Sequence, residues 1–486
     1  MFYELDPSLR TRFFSLLDLS FSEKEKVISF LRKFKNRKDF FLVGGAVRDL
    51  ILNKKINDLD LIVREGLEAL VFFARSFLNF YLVSLAPEWG IYRLTKDKFS
   101  IDFTDFKGKT LEEDLRARDF TFNAMAIPVK GLFEGKFFII DPFSGLKDLK
   151  ERRIKILGER NLLEDPLRIL RGYRFFAQNL GNIERETRNL FKKHKKRINL
   201  CASERILTEL SYLLLSSKTY QTFLLMDEDG ILEEIFPELS SCKGIPQPTF
   251  HHLDVYGHLL ETLKWAEEIL KNPESYLEIS KGTEFEEDFI VAVKLASLFH
   301  DLGKAHTFKV MDRITFYGHE KVSAELFKNR AEILKFKKSL INRVVNLIRN
   351  HMRPFHLLNE KEEGKLTVRA KRNLIRDVPN LEELFIVCMA DSLASRGPDK
   401  EEDYEERLKN FFKELLLFKK DFEKEIIKKR LITGDDLIAL GFKPGPIFKE
   451  ILQEVEILQM EKRLNSKEEA LNYILGRYRK FLQKSI

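Results

Sequence analysis

Strand-like runs occur in only one part of this sequence, between Phe40 and Pro142. There, short apolar and β-branched stretches such as FFLVGG, DLDLIV and FSIDFT are separated by helical stretches such as LEALVFFARSFL. After Pro142 the strand signals end, and apolar residues recur at intervals of three and four, as in EDPLRILRGYRFFAQNL. The sequence therefore predicts an α+β head, with a small mixed β-sheet and helices. An all-α remainder follows it.

The length and the turn-rich segments predict how the chain is divided. A chain of 486 residues, 44% of them hydrophobic, is long enough for about three domains. Turn clusters at 241–250 (SCKGIPQPTF) and 395–403 (SRGPDKEED) mark two boundaries. The predicted parts are an N-terminal helical extension, a head, a helical neck, a histidine-rich helical domain and a helical tail, at residues 1–36, 37–145, 146–245, 246–400 and 401–486, respectively.

Charge and cysteine content narrow the class of protein. The net charge of +8 suits a polyanionic partner, although a lysine-rich solvated surface would give the same excess. Cys201, Cys242 and Cys388 are widely spaced, so we expect neither a disulfide framework nor a cysteine metal site. The sequence has no signal-peptide pattern and no run of about 18 apolar residues. We therefore expect a cytoplasmic protein that makes no use of a membrane.

Two aspartates one residue apart form the first candidate site. Asp58 and Asp60 open the run DLDLIV, so their side chains should share one face while Leu59 and Leu61 face the core. Carboxylates roughly 7 Å apart along a strand repel each other unless a cation lies between them. Mg²⁺ is that cation in phosphoryl-transfer sites. We predict that Asp58 and Asp60 are catalytic and hold two Mg²⁺ ions, with Asp102 as a third candidate carboxylate.

The residues before this pair strengthen the catalytic interpretation. A D-x-D pair alone is more often part of a solvated surface, but here Gly44 and Gly45 end the preceding strand-like run. Glycines let backbone N–H groups approach phosphates, so both are predicted nucleotide-binding residues. The run G-G-x-V-R-D, which also contains Arg48, together with the D-x-D resembles the head of the class II tRNA nucleotidyltransferase and bacterial poly(A) polymerase family.

A second motif of that family follows at residues 115–126, LRARDFTFNAMA. It resembles L-x-R-R-D-F-T-x-N-A-x-A, with Ala117 in place of the first arginine of the pair. The resemblance implies that Arg118, Asp119 and Asn123 contact the ribose and triphosphate of the incoming nucleotide. One cation of the usual phosphate clamp is missing.

The third motif is EDPLRILRGYRF, residues 164–175, which resembles the family pattern E-D-x-x-R. On a helix, Asp165 and Arg168 would project together, and an acceptor beside a guanidinium matches the Watson–Crick edge of cytosine. The resemblance implies that this pair selects the base in place of a nucleic-acid template. The alternative is an ordinary helical salt bridge. Arg171 and Arg174, also predicted at the nucleotide site, suit phosphate or carboxylate partners better than bases.

A histidine set in the second half indicates another metal site. Imidazoles and carboxylates are good ligands for divalent transition metals. The residues are His258, His300, Asp301, His319, His351 and Asp391. Their order resembles the His–Asp (HD) metal-dependent phosphohydrolase superfamily, and it implies a mono- or binuclear site. The alternative is an HD-type helical domain that keeps the fold without hydrolysis and only holds tRNA.

The expected reaction is addition of cytidine from CTP to the 3′ end of tRNA. Family members that add the terminal A resemble one another in a long segment before the R-D-F-T motif, whereas here only residues 105–110 separate Thr104 from Leu111. This shortness resembles CC-adding enzymes, which leave the last A to a separate A-adding enzyme. Full CCA addition with ATP, A-only or poly(A) addition, and an HD-type phosphohydrolase are the alternatives.

The tail and the helical body are predicted to hold the RNA. Residues 431–452, LITGDDLIALGFKPGPIFKEIL, resemble the tail pattern of the family. Its turns suit N–H groups facing phosphate, or a plain helical corner. We expect the body to recognise the tRNA acceptor stem by its shape and phosphates.

Overall fold

The computed structural model describes residues 1–86, 90–277, 284–424 and 430–482. They form two compact units. The first comprises Met1–Ser216 with Gln221–Glu234, and the second comprises Ser217–Tyr220 with Ile235–Ile486. No helix in the described ranges is long and apolar enough to cross a membrane.

The first unit is built on a mixed sheet. Its strands are β1 (Phe2–Glu4), β2 (Phe40–Val43), β3 (Asp58–Val63), β4 (Tyr81–Ala86), β5 (Ile91–Lys96), β6 (Phe99–Thr104), β7 (Ala126–Pro128) and β8 (Phe138–Ile140). They lie in the order β1-β8-β7-β2-β3-β6-β5-β4. All neighbours are antiparallel except β3 and β6, which run parallel. The predicted α+β head with a mixed sheet is confirmed.

Helices surround this sheet and continue beyond it. They are α1 (Ser8–Leu16), α2 (Phe21–Lys33), α3 (Gly45–Ile51), α4 (Leu67–Leu78), α5 (Leu111–Arg116), α6 (Gly145–Lys150), α7 (Glu159–Glu164), α8 (Arg168–Ala177), α9 (Arg185–His194), α10 (Ser203–Leu215), α11 (Thr219–Glu228) and α12 (Leu232–Ile235). The short strands β9 (Arg153–Ile154) and β10 (Asn182–Ile183) pair in parallel. Two-residue strands are too short to show a period of two, so no pattern in the sequence indicated them.

The first 36 residues hold a strand as well as the expected helices. Strand β1 pairs with β8 and forms one edge of the sheet. Phe13 and Phe30 from α1 and α2 are fully buried. Phe30 meets Phe103 of β6 edge to face, with ring centres 6.0 Å apart. This extension is therefore part of the packed head rather than an appendage to it.

The second unit is mostly helical. Its elements are α13 (Val255–Lys271), α14 (Pro273–Tyr276), α15 (Glu287–Phe299), α16 (Lys304–Thr307), β11 (Lys309–Val310), β12 (Ile314–Thr315), α17 (His319–Ile333), α18 (Lys338–Asn350), α19 (Arg353–Glu362), α20 (Val368–Asp377), α21 (Leu381–Ala394), α22 (Tyr404–Phe422), α23 (Gly434–Ala439), α24 (Pro446–Met460) and α25 (Lys467–Arg477). Helices α15 and α21 are buried along most of their length. Their apolar all-round sequences are typical of helices at the centre of a bundle. Helices α23, α24 and α25 enclose a separate apolar cluster around Leu437, Ile451 and Ile474.

Candidate active site and histidine cluster

The turn between β2 and α3 places backbone directly against the acidic pair. Gly44 has a φ of +69°, which residues with a side chain rarely adopt. A Cβ atom on Gly44 would lie 2.2 Å from Oδ2 of Asp60, and one on Gly45 would lie 3.7 Å from Oδ2 of Asp58. The first distance is far inside van der Waals contact, so any larger residue at this position would have to displace the Asp60 carboxylate or the turn. The structure thus brings together four of the residues that the sequence singled out.

The pKa values of both aspartates are raised, chiefly by burial and further by neighbouring carboxylates. Burial raises the pKa of Asp60 to about 6; the cation of Arg118 opposes this rise, and the charges of Asp58 and Asp102 add to it. Burial and the charge of Asp49 also raise the pKa of Asp58. Such a cluster attracts positive charge, and oxygen ligands of this kind fit Mg²⁺.

Asp102 lies next to Asp60 but already has a partner. Strands β3 and β6 pair the two residues in register. Nε and Nη2 of Arg93, on β5, each donate to a carboxylate oxygen of Asp102 at 2.6 Å. This is a charge-assisted, two-point contact, which is strong for a hydrogen bond in a protein. Asp102 can therefore serve a metal only if Arg93 moves or shares it. Sequence reasoning missed Arg93, whose only signal was a lone cation in the apolar run IYRL.

A chain of polar contacts joins the three motifs of the first unit. Arg48 donates to both oxygens of Asp49, at 2.9 and 2.8 Å, and to Oδ1 of Asn123 at 2.9 Å. Asn123 in turn donates to Asp119 at 3.0 Å, and Arg171 forms an ion pair with Asp119 at 2.8 Å. Burial would raise the pKa of Asp119, but Arg171 and the bond from Asn123 outweigh it and keep it below the usual value. Each motif therefore orients the next.

Arg118 lies beside the glycine turn. Its Nη1 would be 3.0 Å from a Cβ atom on Gly44, and its Nε is 3.3 Å from Oδ2 of Asp114 on α5. Asp114 also accepts the backbone N–H of Lys107 at 3.1 Å. The one carboxylate thus fixes both the guanidinium and the connection that precedes α5.

The expectation that Asp165 and Arg168 project together from one helix was wrong. Helix α7 ends at Glu164 and α8 begins at Arg168. Pro166 is the physical reason, because the residue before a proline is pushed out of the helical conformation; Asp165 has φ −143° and ψ 93°.

The two side chains consequently have different partners. Asp165 accepts from Arg205 of α10 at 2.9 Å. The buried Arg168 donates to the backbone oxygens of Arg118 and Ala117 at 3.0 and 2.8 Å. The ordinary helical salt bridge between them, which was the alternative, is not formed either. Arg168 instead ties the third motif to the backbone of the second.

Carboxylate partners hold the two remaining arginines of α8. Arg171 pairs with Asp119, and Nη1 of Arg174 lies 3.3 Å from Oε2 of Glu209 on α10. The guanidinium of Arg174 also lies 5.0 Å from the ring centre of Tyr212. Of the two kinds of partner that the sequence suggested, phosphate and carboxylate, the protein itself supplies the second.

In the second unit, all six predicted ligands of the histidine set converge. They come from α13, the end of α15, the start of α17, the end of α18 and α21. Nε2 of His258 lies 3.0 Å from Asp391. The Nε2 atoms of the other three histidines face Asp301, at 3.2 Å for His300, 3.1 Å for His319 and 3.6 Å for His351. The two oxygens of Asp301 face different histidines, Oδ2 facing His300 and Oδ1 facing His319 and His351.

Backbone carbonyls fix the orientation of three of these rings. Nδ1 of His300 lies 2.9 Å from the backbone oxygen of Ser297. The corresponding distances are 2.8 Å from His319 to Phe316 and 2.7 Å from His351 to Ile348. A ring whose Nδ1 donates to a carbonyl presents the lone pair of Nε2 inward, as metal-binding histidines do. The donor set therefore fits a divalent metal.

The two aspartates draw positive charge into the cluster, which a proton on His300 or a metal ion can supply. Burial disfavours a charged His300, but Asp301 and Asp391 outweigh this and raise its pKa to about 10. Burial would raise the pKa of both aspartates, yet His300 and the neighbouring donors hold them well below the usual value. Within the described ranges, the sets of ligand atoms close enough to hold a metal are His258/His300/Asp301, His300/His351/Asp391 and Asp301/His319/His351. All of them belong to this cluster.

Two residues beside the cluster were not predicted from the sequence. Lys304 forms an ion pair with Asp301 at 2.5 Å and donates to Gln247. The ring of His251 packs edge to face on His258, with centres 4.7 Å apart, and its Nδ1 contacts Ser395. For Lys304, the one available signal was its position three residues after Asp301 in the run HDLGK.

Three family models match the chain. The poly(A) polymerase head domain matches residues 40–155, and the probable RNA- and SrmB-binding site of polymerase A matches residues 182–243. The HD domain matches residues 255–396. The first and third contain the acidic pair and the histidine cluster, respectively.

Relatives agree with these matches over almost the whole length. The CC-adding tRNA nucleotidyltransferase of Thermus thermophilus is 32% identical over 463 residues, which cover 91% of this chain and 94% of that protein. The A-adding tRNA nucleotidyltransferase of Deinococcus radiodurans is 29% identical over 89% of this chain and 94% of its own. Among solved structures, the Thermotoga maritima CCA-adding enzyme complexed with tRNA shares the fold, with a TM-score of 0.64, 22% identity and coverage of 98% of this chain and 99% of that one.

Proposed function

Because this chain belongs to the tRNA nucleotidyltransferase family, we propose that it adds two cytidines to the 3′ end of tRNA, using CTP and releasing pyrophosphate. Full CCA addition with CTP and ATP is the alternative, and addition of A alone is a further one. The acceptor stem and 3′ end of tRNA are the proposed partner. A cytoplasmic location, expected from the cysteine content, belongs to the same proposal.

One observation favours CC addition: the connection between β6 and α5 is short and tied down. The backbone N–H of Asp105 donates to the oxygen of Gly90 at 3.2 Å, and that of Lys107 donates to Asp114 at 3.1 Å. Phe106 packs on Phe41, with ring centres 6.2 Å apart. Residues 105–110 are too few, and too firmly hydrogen-bonded, to move over a long distance. If terminal A addition needs a long mobile segment here, this chain has no such segment.

The proposed chemistry follows from the side chains around the glycine turn. Asp58 and Asp60 would hold two Mg²⁺ ions, which when bound lower the pKa of the RNA 3′-hydroxyl and neutralise charge on the triphosphate. Arg118, fixed by Asp114, supplies a further cation at the turn. Asp119 and Asn123 are held by Arg171 and Arg48, so their polar atoms are in place before the nucleotide arrives. Such preorganisation supplies much of the rate acceleration in positioning enzymes.

In this proposal, the third motif, residues 164–175, selects the base of the incoming nucleotide. We propose that Asp165 and Arg168 act from the two sides of the α7–α8 break, with Arg171 and Arg174 behind them. Arg205 holds the carboxylate of Asp165, and backbone oxygens hold the guanidinium of Arg168, so neither group is free to rotate.

The test is incorporation into tRNA that lacks its last three nucleotides. With labelled CTP alone, two cytidines should be added in a Mg²⁺-dependent reaction. With CTP and labelled ATP together, no adenosine should follow. Incorporation of ATP after two cytidines would replace CC addition by CCA addition. The paired substitution Asp58→Asn with Asp60→Asn should abolish addition; survival of addition would overturn the site.

The histidine cluster supports a second activity, metal-dependent hydrolysis of a phosphate ester. The inward-facing Nε2 atoms and the two-sided carboxylate of Asp301 carry this proposal. Hydrolysis of a generic phosphodiester should require added divalent transition metal and should be lost in His300→Ala. The Asp58→Asn/Asp60→Asn protein, assayed in parallel, should retain it. A folded wild-type protein that binds no metal in this cluster would instead support a purely structural HD-type domain.

A further inference from the structure

A cavity of about 670 Å³ lies in the second unit and shares no helix with the histidine cluster. It is lined by α20, the end of α22 and one face of α24 from Phe448 to Glu456. Cavities of this size accommodate ligands as large as a nucleotide. Its cationic side chains are Arg372, Arg376, Lys419, Arg430 and Lys449.

The lining is strongly basic. Five of its side chains are cationic and two are acidic. Some of the cations already have partners: Arg376 pairs with Asp377 at 2.9 Å, Lys419 donates to the backbone oxygen of Pro379 at 2.7 Å, and Arg430 lies 3.3 Å from Glu456. An excess of positive charge remains, and within a concave, low-dielectric wall it attracts an anion.

Arg372 is the feature that distinguishes this cavity from a basic surface. It is only 5% exposed, and one end of its guanidinium, Nη2, pairs with Glu456. The other two nitrogens, Nε and Nη1, are buried and have no acceptor among the residues that the structure describes. Buried donors are nearly always satisfied, because leaving one unpaired costs its full desolvation. A phosphate oxygen could satisfy either donor, since a phosphate accepts several hydrogen bonds and pairs with a guanidinium charge.

Aromatic rings complete the lining. Phe422 lies under Arg372, with the guanidinium 5.8 Å from the ring centre, and Phe448 lies on the wall formed by α24. Both are partly exposed. Aromatic faces beside cations are what a nucleobase next to its phosphate requires, since any base can stack on them.

We propose that this cavity binds a nucleotide through its phosphate, with Arg372 as the central donor, Lys449 and Arg376 at the rim, and the base against Phe422 and Phe448. Two sources share this chemistry, a free nucleotide and an unpaired nucleotide of the bound RNA. The second source rests on the proposed function, because it requires tRNA as the partner. The first does not.

The experiment compares binding to the full-length protein and to Arg372→Met, which keeps much of the side-chain volume and removes the donors. Cytidine 5′-monophosphate and inorganic phosphate are titrated calorimetrically in one arm, and tRNA lacking its 3′-terminal CCA is titrated at several salt concentrations in the other. We expect at least a tenfold loss of affinity in one arm. In the tRNA arm, the slope of log affinity against log salt should also fall by about one for each phosphate that the variant no longer neutralises.

Matched variants keep the test decisive if Arg372→Met is poorly folded. Lys449→Met removes an exposed cation of the rim and should weaken the same ligand; Lys443→Met removes an exposed cation outside the cavity and should not. A loss confined to the nucleotide arm identifies a free nucleotide, and a loss confined to the tRNA arm identifies RNA. If Arg372→Met and Lys449→Met bind all three ligands as the wild type does, the proposal is wrong. Cytidine addition, assayed separately, reports on the proposed function independently of either result.

Discussion

Gly44 shows how a single residue without a side chain decides the geometry of the acidic pair. In Gly44→Ala, the new Cβ would lie 2.2 Å from Oδ2 of Asp60, so the carboxylate or the turn must shift by about an ångström. A misplacement of this size costs roughly a hundredfold in rate. We expect the folded variant to lose about that much cytidine addition, measured as initial rate with tRNA and CTP.

A second glycine separates the steric effect from backbone strain. Gly135 has the same φ of +69°, but a Cβ there would meet no atom within 4 Å. Gly135→Ala should therefore lose a little stability and keep its rate. Equal losses of rate in the two variants would mean that strain, and not contact with Asp60, explains the Gly44 result.

Lys294 gives a prediction about pH at the same scale. It is buried on α15, donates to Thr219 at 2.8 Å and lies 4.0 Å from Glu267. Burial lowers its pKa from 10.5 to about 8, although Glu267 opposes the shift. The unfolded chain thus holds the proton more tightly than the folded one, so the free energy of unfolding should rise between pH 8 and 10.5. The rise attributable to Lys294 is about 3 kcal/mol.

Chemical denaturation of the wild type and Lys294→Met across that range measures this contribution. The difference between the two unfolding free energies should change in favour of the wild type as the pH rises, and it should be constant below about pH 7. Parallel profiles throughout would show that the amine is not perturbed in the folded state.

At the scale of elements, the N-terminal helices support the strand that carries the acidic pair. The backbone of Ile56, two residues before Asp58, exchanges hydrogen bonds with Leu16 and Asp18 at 2.9 Å each. Arg10 donates to the oxygen of Gly131 at 2.8 Å. These contacts, with the buried aromatic rings of α1 and α2, make residues 1–36 an integral part of the head.

Two truncations test that role. Deleting residues 1–5 removes β1, whose Phe2 is 72% exposed, and should leave most of the activity. Deleting residues 1–36 uncovers Phe13 and Phe30, and each buried phenylalanine contributes about 3–5 kcal/mol. The sum rivals the whole stability of a domain, so the long truncation should lose its folded head, measured by thermal unfolding. A stable, active long truncation would contradict this account.

At the scale of the whole molecule, the two candidate sites lie in separate compact units. The acidic pair belongs to the first and the histidine cluster to the second. A metal that binds only the folded cluster should stabilise the second unit by about 2.7 kcal/mol at a concentration of about 100 times its Kd. In scanning calorimetry, Mn²⁺ should therefore raise the transition of that unit in the wild type and in Asp58→Asn, but not in His300→Ala. Equal shifts in all three proteins would place the metal elsewhere.

The order of the motifs and the alternation along β3 could be predicted because both are local properties of the chain. A strand has a period of two, so Leu59 and Leu61 are buried and the two aspartates between and before them face the other way. The six histidine-cluster residues were predicted from their order along the chain. That order could not predict that several histidine rings share Asp301.

By itself, the sequence determined the types of the longer elements, the glycine turn and which side chains carry the chemistry, since these depend on residues a few positions apart. Only the tertiary structure decided the partners. Arg93 holds Asp102, Arg168 bonds the backbone of the second motif, and Arg372 lines a cavity while two of its nitrogens have no acceptor in the described part of the chain. The physical reason is that a polar side chain takes its partner from whichever element packs beside it. That packing is set by the burial of apolar residues far apart in the chain, which no local pattern records.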